Sequence, residues 1–355
     1  MYPRLKIDLA KYKHNVESVT ALCGAHGISV MAVTKVFCGD QRLVDVLNAT
    51  DVAYIADSRL DNLERIRTGK PKVLLRLPSV NEIERVVRIA DISLNSEWTT
   101  LKALDGVAGS LQMKHGVVLM IDIGDLREGI YYKENVMEMV KGIIDLRHLT
   151  LSGLGTNLTC FGGIIPEENA LKKLIDVKRM IEATLNVRIP LVSGGNSSHL
   201  HLLHKGHHMP DIDNLRIGEA LILGRETAFG DPLEGMYQDV VTLEADLIEV
   251  KHKPSIPEGE VGMDAFGRKP HFENLGLMKR GILALGRQDV DYQELKPCDE
   301  HIRLIGSSSD HIIVDLTHTD ADYSVGDRVD FTLTYGSLLR LMTSPYVRKT
   351  YVDKV

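Results

Sequence analysis

The sequence has few cysteines and no long apolar run, and both shortages exclude classes of protein. Four cysteines occur among 355 residues, scattered and without a CxxC pair, so neither a disulfide framework nor a zinc ribbon is expected. No stretch of about 18 uncharged apolar residues is present, and the charged start MYPRLKIDLAKYKHN is unlike a signal peptide. We therefore expect a cytoplasmic protein without a membrane partner.

A basic surface is missing as well. The chain carries 42 basic and 49 acidic residues, for a formal net charge of -7, and no long block of one sign. Nucleic-acid-binding proteins usually show a basic stripe, so no nucleic-acid partner is expected. The length and the 44% of hydrophobic residues indicate a large buried core and favour about two domains.

Eight short apolar runs alternate with amphipathic segments over the first two thirds of the chain. This alternation predicts βαβ units and a parallel sheet, and eight units in about 200 residues predict an α/β fold with a closed (β/α)8 TIM barrel. The predicted strands are Ile28–Thr34, Val52–Ala56, Val73–Leu77, Ile92–Leu94, Gly116–Ile123, Leu151–Thr156, Ile189–Val192 and Leu215–Leu223.

The pattern changes after about residue 235. Val240–Lys251 and Ile302–Thr317 are rich in Val, Ile and Thr and are separated by Gly, Pro and Asp turns, which predicts strands. We therefore expect a barrel domain over residues 1–235 and a C-terminal all-β domain over residues 236–355. The strand-like segment 4–9 fits either domain.

Polar residues at the ends of the predicted barrel strands are the first candidates for chemistry. Lys35 ends the first strand after a largely apolar run. Burial of its stem would lower its pKa and free the amine for Schiff-base chemistry. The alternative is a lysine that extends from the strand end into solvent.

Two further segments lie at the same predicted end of the barrel. SGGNSS (Ser193–Ser198) follows the seventh strand, and its small residues suit an anion such as phosphate, although an ordinary capped turn is the alternative. Arg216 and Gly218 belong to the eighth strand, and a salt bridge is the alternative for Arg216.

Histidines cluster after the seventh predicted strand and invite a metal-site interpretation. An HxH pair inside a helix does not face one ligand, and no acidic ligand motif accompanies it, so we expect structural or surface histidines and no metal. The histidines concerned are His199, His201, His204, His207 and His208.

Segments along nearly the whole chain resemble the alanine racemase family of pyridoxal 5'-phosphate (PLP) enzymes. MAVTK resembles the family's cofactor-lysine motif, and TYGSLLRLMTSPYVRKTY resembles its C-terminal run ending in tyrosine. The other matching segments are RLKIDLAKYKHNV, MIDIGDLREG (Met120–Gly129), GTN (Gly155–Asn157), SGGNSS, LRIG and GSSSDHIIVDLT (Gly306–Thr317).

The resemblance implies a barrel plus a β domain, a homodimer with the active site at the subunit interface, and PLP held by Lys35 as a Schiff base. It places Arg127 at the phenolic oxygen of the cofactor, Asn157 against its ring and Arg216 at its pyridine nitrogen. The residues implied around the phosphate are Asn196, Ser197, Gly218, Glu219 and Tyr351, and Ser193 is a further expected cofactor-binding residue.

Arg216 also bears on the reaction. Arginine keeps its proton near neutral pH, so it can donate a hydrogen bond to the pyridine nitrogen but cannot protonate it. The cofactor then remains a weaker electron sink, which favours racemisation. The related decarboxylases have glutamate at this place, so Arg216 argues against decarboxylation.

Three departures from the family pattern argue against a strict alanine racemase. Met120 stands where many alanine racemases have a modified lysine, and VFCGD lacks the usual Tyr-Gly-His after the cofactor lysine. Arg287 stands where the family has its second catalytic base, a tyrosine. The candidates for the second proton acceptor are Ser309, Asp310, Tyr292 or a water held by Arg287.

Asp310 indicates the substrate. In the related ornithine decarboxylases a Cys-Asp pair falls here and its aspartate meets the distal amine of the substrate; the pair in this chain is Ser309–Asp310. Together with the phrases GTNLTCFGG and GSSSDH, this resembles the ornithine racemase branch.

The sequence therefore predicts a PLP-dependent isomerase that racemises a free amino acid, with ornithine as the first candidate. The expected catalytic residues are Lys35, Arg127, Arg287, Ser309 and Asp310. Three alternatives stay open: an alanine or broad-specificity racemase, a PLP-dependent decarboxylase of a basic amino acid, and a PLP-binding protein without turnover.

Overall fold

The computed structural model describes residues 3–207, 209 and 211–353, and its contacts divide the chain into two compact units. The barrel unit comprises Lys11–Gln238, and the sheet unit comprises the residues up to Ala10 together with those from Asp239 onward. The chain begins with strand β1 (Arg4–Asp8), which belongs to the sheet unit, and helix α1 (Leu9–Gly24) leads into the barrel unit.

Eight parallel strands form a closed barrel in the order β2-β3-β4-β5-β6-β8-β9-β10. The ring closes because β5 pairs with β6 and β10 pairs with β2. The strands are β2 (Ser29–Val33), β3 (Tyr54–Asp57), β4 (Lys72–Leu74), β5 (Ile92–Asn95), β6 (His115–Asp122), β8 (Leu149–Gly155), β9 (Val192–Ser193) and β10 (Asn214–Ile217), with the short β7 (Ile130–Tyr131) paired to β6.

The sequence of β6 shows why these segments become barrel strands. Seven of the eight residues of HGVVLMID are buried, as expected for a parallel strand that is covered on both faces. Helices alternate with the strands, and Asp40 caps one of them by accepting the backbone N–H of Arg42 at 3.0 Å. The helices that follow α1 are α2 (Gln41–Asn48), α3 (Leu60–Arg65), α4 (Ile83–Ile89), α5 (Trp98–Ser110), α6 (Val136–Asp145), α7 (Glu168–Leu185), α8 (Leu200–His204) and α9 (Glu219–Leu223).

The predicted fold class is confirmed, but several strand boundaries differ, most clearly those of the seventh and eighth strands. The seventh strand is Val192–Ser193 rather than Ile189–Val192, and the eighth ends at Ile217, where Leu215–Leu223 was predicted. Residues 219–223 form α9 instead. Four of its five residues are fully buried apolar side chains, and an apolar run of this length does not distinguish a buried strand from a buried helix.

Antiparallel strands dominate the sheet unit, in the order β13-β16-β11-β12-β15-β14. β1 pairs antiparallel with β11 and parallel with β17. The strand-rich segment Ile302–Thr317 forms a hairpin, β14–β15, because Ser308–His311 turns the chain. The strands are β11 (Val241–Pro254), β12 (Leu277–Leu283), β13 (Leu295–Pro297), β14 (Arg303–Ser307), β15 (Ile312–Asp315), β16 (Arg328–Leu333) and β17 (Arg348–Val352), and one helix, α10 (Tyr335–Thr343), lies between the last two.

Over the described part of the chain, no helix combines the length and the apolar character that crossing a bilayer requires.

Candidate active site

Most of the residues singled out in the barrel sequence lie at one end of the barrel. Because the eight strands are parallel, their carboxyl ends meet at the same mouth. The residues found there are Lys35 after β2, Arg127 after β6, Asn157 after β8, Ser193, Asn196 and Ser197 at and after β9, and Arg216, Gly218 and Glu219 at and after β10.

Lys35 lies in a short 3-10 turn directly after β2, and its side chain is half-buried. The turn is anchored by Thr34, whose hydroxyl donates to Oδ2 of Asp57 at 2.6 Å and to the carbonyl of Ala56 at 3.2 Å. Burial raises the pKa of the Asp57 carboxyl, although the hydrogen bonds that it accepts from Thr34, Arg59 and Asn62 oppose the shift. Neighbouring strands β2 and β3 therefore fix the backbone that carries the amine.

Arg216 is buried and is held by neutral acceptors. Its Nη1 donates to the hydroxyl of Ser193 at 2.6 Å, and its Nη2 donates to Oδ1 of Asn157 at 2.9 Å and to the carbonyl of Thr156. Burial lowers the pKa of Arg216 to about 10, and the negative charge of Glu128 opposes the shift. The guanidinium therefore keeps its proton at neutral pH, and the described contacts contain no direct salt bridge of the kind considered from the sequence.

Arg127 forms a bidentate ion pair with its neighbour Glu128. Burial would lower the pKa of Arg127, yet the hydrogen bond and the charge of Glu128 outweigh it and raise that pKa. Burial would likewise raise the pKa of Glu128, but Arg127 and Asn157 lower it. Both groups are therefore charged at neutral pH.

Two glycines allow the loops after β9 and β10 to come close to their neighbours. Gly195 has a φ of 139°, and a Cβ there would lie 2.2 Å from Cε1 of His199. A Cβ on Gly218 would lie 3.1 Å from Cβ of Val33. The hydroxyl of Ser197 joins the two loops by accepting a backbone N–H from the first turn of α9. Small side chains and backbone thus line a cradle that suits an anion.

The side chain of Asn196 ties the loop after β9 to the loop after β8. Its Oδ1 accepts the backbone N–H of Ser198 at 2.9 Å, and its Nδ2 donates to the carbonyl of Leu158 at 2.9 Å. The same Nδ2 lies 3.2 Å from Sγ of Cys160. Asn196 therefore shapes the cradle through contacts within the protein.

An unused hydroxyl lies beside Arg216. Thr156 is fully buried, and its Oγ1 has no hydrogen-bond partner among the described residues. Buried hydroxyls normally find a partner, and a polar ligand at the barrel mouth would supply one. The orphan hydroxyl, the amine of Lys35, the two guanidinium groups and the anion cradle together fit a phosphorylated carbonyl cofactor.

Glu219 begins α9 next to this cradle. Burial raises the pKa of its carboxyl, while the positive charges of Arg225 and Lys35 oppose the shift. Nε of Arg225 lies 3.6 Å from Oε1 of Glu219.

Arg287, Ser309 and Asp310 lie together within the sheet unit. The backbone N–H of Arg287 donates to the carbonyl of Ser308 at 2.9 Å, and that of Gln288 donates to the carbonyl of Ser309 at 3.1 Å. The hydroxyl of Ser309 donates to Oδ2 of Asp310 at 3.0 Å, and the amide of Gln288 donates to Oδ1 of the same carboxylate. Asp310 is exposed to solvent.

The guanidinium of Arg287 stacks 4.3 Å from the ring centroid of Phe266, a cation–π contact. Tyr292, another candidate for the second base, is half-buried in a 3-10 turn, Tyr292–Glu294. Tyr351 lies in β17, where it pairs with Ile7 of β1.

Sequence reasoning missed two carboxylates, Glu128 and Asp125. Asp125 is 1% exposed and accepts four backbone N–H groups from the loop after β8, at 3.0 to 3.3 Å. Each of these two carboxylates lies in the loop after β6 and contacts the loop after β8. A contact between loops leaves no periodic pattern in a sequence. The one available signal is that Glu128 directly follows Arg127.

The described residues contain no group of three or more His, Cys, Asp or Glu side chains placed to hold a metal ion. His199 is fully buried, and burial lowers the pKa of its imidazole to about 3. His208 lies outside the described residues.

Comparison with known proteins places this geometry in context. Residues 7–226 match the family described as alanine racemase, N-terminal domain. The chain is 44% identical to an ornithine racemase of Acetoanaerobium sticklandii over 98% of its own length and 99% of that protein. It is 38% identical to a lysine racemase of Thermotoga maritima over the full length of both.

Solved structures show the same fold at lower identity. The alanine racemase of Streptomyces coelicolor A3(2) superposes with a TM-score of 0.76 at 18% identity, covering 99% of this chain and 98% of the other. The alanine racemase of Bartonella henselae with covalently bound pyridoxal phosphate gives 0.76 at 16% identity, covering 99% and 100%.

Proposed function

The chain belongs to the alanine racemase family and is an amino-acid racemase, and we propose that it interconverts L- and D-ornithine with pyridoxal 5'-phosphate held on Lys35. The observation that carries the proposal is the placement of Lys35 and Arg216. They lie at the carboxyl ends of two neighbouring strands, β2 and β10. Lys35 supplies an amine, and Arg216 supplies a guanidinium that is held by neutral acceptors.

The bound cofactor would supply an electron sink that makes the α-hydrogen of the amino acid acidic. Lys35 would remove or return that proton on one face of Cα. Its half-buried stem and the turn anchored by Thr34 would keep the amine in place. Arg216 would donate a hydrogen bond to the pyridine nitrogen and, because it keeps its own proton, would leave that nitrogen unprotonated.

The other barrel residues would bind and orient the cofactor. Arg127 would donate to the phenolic oxygen, and Asn157 would lie against the ring. The phosphate would occupy the cradle formed by the loops after β9 and β10. The remaining residues proposed to surround it are Ser193, Asn196, Ser197, Gly218, Glu219 and Tyr351.

We propose a homodimer in which the sheet unit of a second copy supplies the group that serves the second face of Cα. The second proton acceptor would be Ser309 or Asp310, which are joined by a hydrogen bond, or a water held by Arg287, with Tyr292 as the further candidate. The exposed Asp310 would also pair with the distal ammonium of the substrate, since a carboxylate rewards a cationic side chain and stays unpaired with alanine.

The full-length similarity to an ornithine racemase supports ornithine, and the similarity to a lysine racemase favours lysine as the second candidate. The two substrates differ by one methylene, which a pocket discriminates by about 10- to 200-fold. We also propose a cytoplasmic location, because the four cysteines are scattered without a CxxC pair, which does not suggest the disulfide framework of an oxidising compartment.

Chiral chromatography of L-amino acids incubated with the purified holoenzyme tests the proposal. The panel contains ornithine, lysine, arginine, alanine and serine, and D-ornithine is expected to form fastest. Faster formation of D-lysine would move the substrate to the second candidate, and faster formation of D-alanine would refute the role of Asp310. Release of CO2 would establish a decarboxylase, and absence of α-hydrogen exchange in deuterated water would indicate a cofactor-binding protein without turnover.

A further inference from the structure

One carboxylate at the barrel mouth, that of Glu128, contacts two groups of the candidate site at once. Both of its oxygens accept from Arg127, through Nε and Nη2. Its Oε1 also accepts from Nδ2 of Asn157 at 2.6 Å. The side chain of Glu128 is 15% exposed and that of Arg127 is 41% exposed, so the carboxylate is the more shielded partner of the pair.

Asn157 also contacts Arg216 and so connects it to Glu128. Its Oδ1 accepts from Nη2 of Arg216 at 2.9 Å. A carboxylate only accepts hydrogen bonds and a guanidinium only donates them. The amide of Asn157 therefore has a single orientation that satisfies both neighbours, with Nδ2 toward Glu128 and Oδ1 toward Arg216. As long as Glu128 is ionised, this orientation is fixed.

The charges of this cluster also depend on Glu128. Arg127 and Arg216 bring two positive charges to the barrel mouth, and Asp125, the other carboxylate that acts on Arg127, is engaged by the four backbone N–H groups of the loop after β8. Among the described residues, Glu128 is thus the carboxylate that is hydrogen-bonded to Arg127 and, through Asn157, linked to Arg216.

We propose that Glu128 is a positioning residue: its carboxylate fixes the guanidinium of Arg127 and, through the amide of Asn157, the orientation of Arg216. This inference rests on the proposed function for its catalytic consequence. The arrangement itself is a property of the protein without cofactor. Glu128 transfers no proton and contacts the reaction only through these three side chains.

Cys160 provides a probe that needs neither cofactor nor turnover. Its thiol is exposed and lies next to Asn196 and Asn157. Partial desolvation raises the pKa of this thiol, Arg127 and Arg216 lower it, and Asp125 and Glu128 raise it. Loss of the charge on Glu128 should therefore lower the pH at which Cys160 becomes reactive.

The first experiment measures alkylation of Cys160 by iodoacetamide against pH in the cofactor-free protein, with the labelled peptide quantified by mass spectrometry. Glu128→Gln should move the midpoint down by about one pH unit. The exposed Glu134→Gln should leave it unchanged, and Cys298 serves as the internal reference. An unchanged midpoint in Glu128→Gln would show that this carboxylate is not the charged partner of the cluster.

The second experiment measures kcat and KM of the holoenzyme in a double-mutant cycle. Glu128→Gln should lower kcat by about 30-fold while KM changes less than about threefold, and Glu128→Asp should recover part of the loss. The double variant Glu128→Gln/Asn157→Ala should lose clearly less kcat than the product of the two single losses, because both side chains act on Arg216 along one path. Multiplying effects would overturn the link through Asn157, and an unchanged kcat would overturn the positioning role.

Failure of the proposed function gives a different pattern. If wild-type protein racemises no amino acid while Glu128→Gln still shifts the Cys160 midpoint, the arrangement around Glu128 stands and the assigned reaction falls. If the Gln variant melts well below wild type, Glu128→Met removes the same charge and carries both measurements instead, while Glu128→Asp, which keeps the carboxylate, should leave the Cys160 midpoint close to that of wild type.

Discussion

At the scale of single residues, the amine of Lys35 is the group on which the proposed chemistry depends. Lys35→Ala should abolish covalent retention of the cofactor, seen as loss of its visible absorbance after gel filtration, and should lower the racemisation rate by at least about 1000-fold. The exposed Lys141→Ala is the matched control and should keep both. Normal turnover by the Lys35 variant would refute the assignment.

Asp310 determines specificity in the same proposal. Asp310→Asn should lower kcat/KM for ornithine by about 100-fold, because the distal ammonium loses its charged partner, and should leave any activity on alanine within about threefold. Asp320→Asn, also exposed in the sheet unit, is the control. Steady-state kinetics on both substrates measure this difference. An equal loss of kcat/KM for ornithine and for alanine would assign Asp310 to the chemistry instead of to substrate recognition.

Single residues differed in how well the sequence predicted them. Lys35 was singled out because it follows a recognisable apolar strand, and Arg216 because its segment LRIG resembles the family; their roles stay predictions. Glu128 was missed because its importance comes from contacts with Arg127 and Asn157 across two loops. The neutral partners of Arg216 were missed as well, since a salt bridge was the simplest sequence-based alternative for a buried arginine.

At the scale of elements, the loop after β9 depends on a glycine. Gly195→Ala would force a Cβ to within 2.2 Å of the buried His199 at a φ of 139°. We expect a loss of at least about 2 kcal/mol in the free energy of unfolding and at least about tenfold weaker cofactor binding. Gly206→Ala has a positive φ of 75° but nothing within 4 Å, so it should cost about 1 kcal/mol. Urea unfolding measures the stability of the two variants, and absorbance titration measures their affinity for the cofactor. Equal losses of stability in Gly195→Ala and Gly206→Ala would contradict the steric argument.

The strands were predictable because a parallel barrel buries both faces of each strand and leaves a continuous apolar run. The same rule failed at α9, where a buried helix of five residues leaves an equally apolar run. The turn at Ser308–His311 does leave a signal in the sequence, because Gly306 and the serines before Asp310 interrupt two apolar runs.

At the scale of the whole molecule, two buried histidines make stability depend on pH. Burial lowers the pKa of His115 to about 4 and that of His199 to about 3, whereas both have a pKa of about 6.5 in an unfolded chain. Above pH 6.5 both states are neutral and stability is unaffected. Below it the unfolded state takes up protons first, so the free energy of unfolding should fall, by about 2 kcal/mol per histidine at pH 5.

Thermal melts at pH 8, 6.5 and 5 measure this dependence. His115→Gln should reduce the loss of stability between pH 6.5 and pH 5, whereas the exposed His318→Gln should not. If wild type and His115→Gln lose equal stability over this range, the buried imidazole is not the origin of the effect.

The pairing of β1 with both β11 and β17 has a consequence for synthesis on the ribosome. Strand β1 leaves the exit tunnel first, but its partners are made more than 200 residues later, after the whole barrel unit has emerged. The nascent chain can therefore close its barrel while the sheet unit still lacks most of its strands, and β1 has no partner until β11 emerges and lacks its second partner until β17 follows. A circular permutant that joins the two ends and opens in the linker near residue 238 would make the sheet unit continuous and remove this delay.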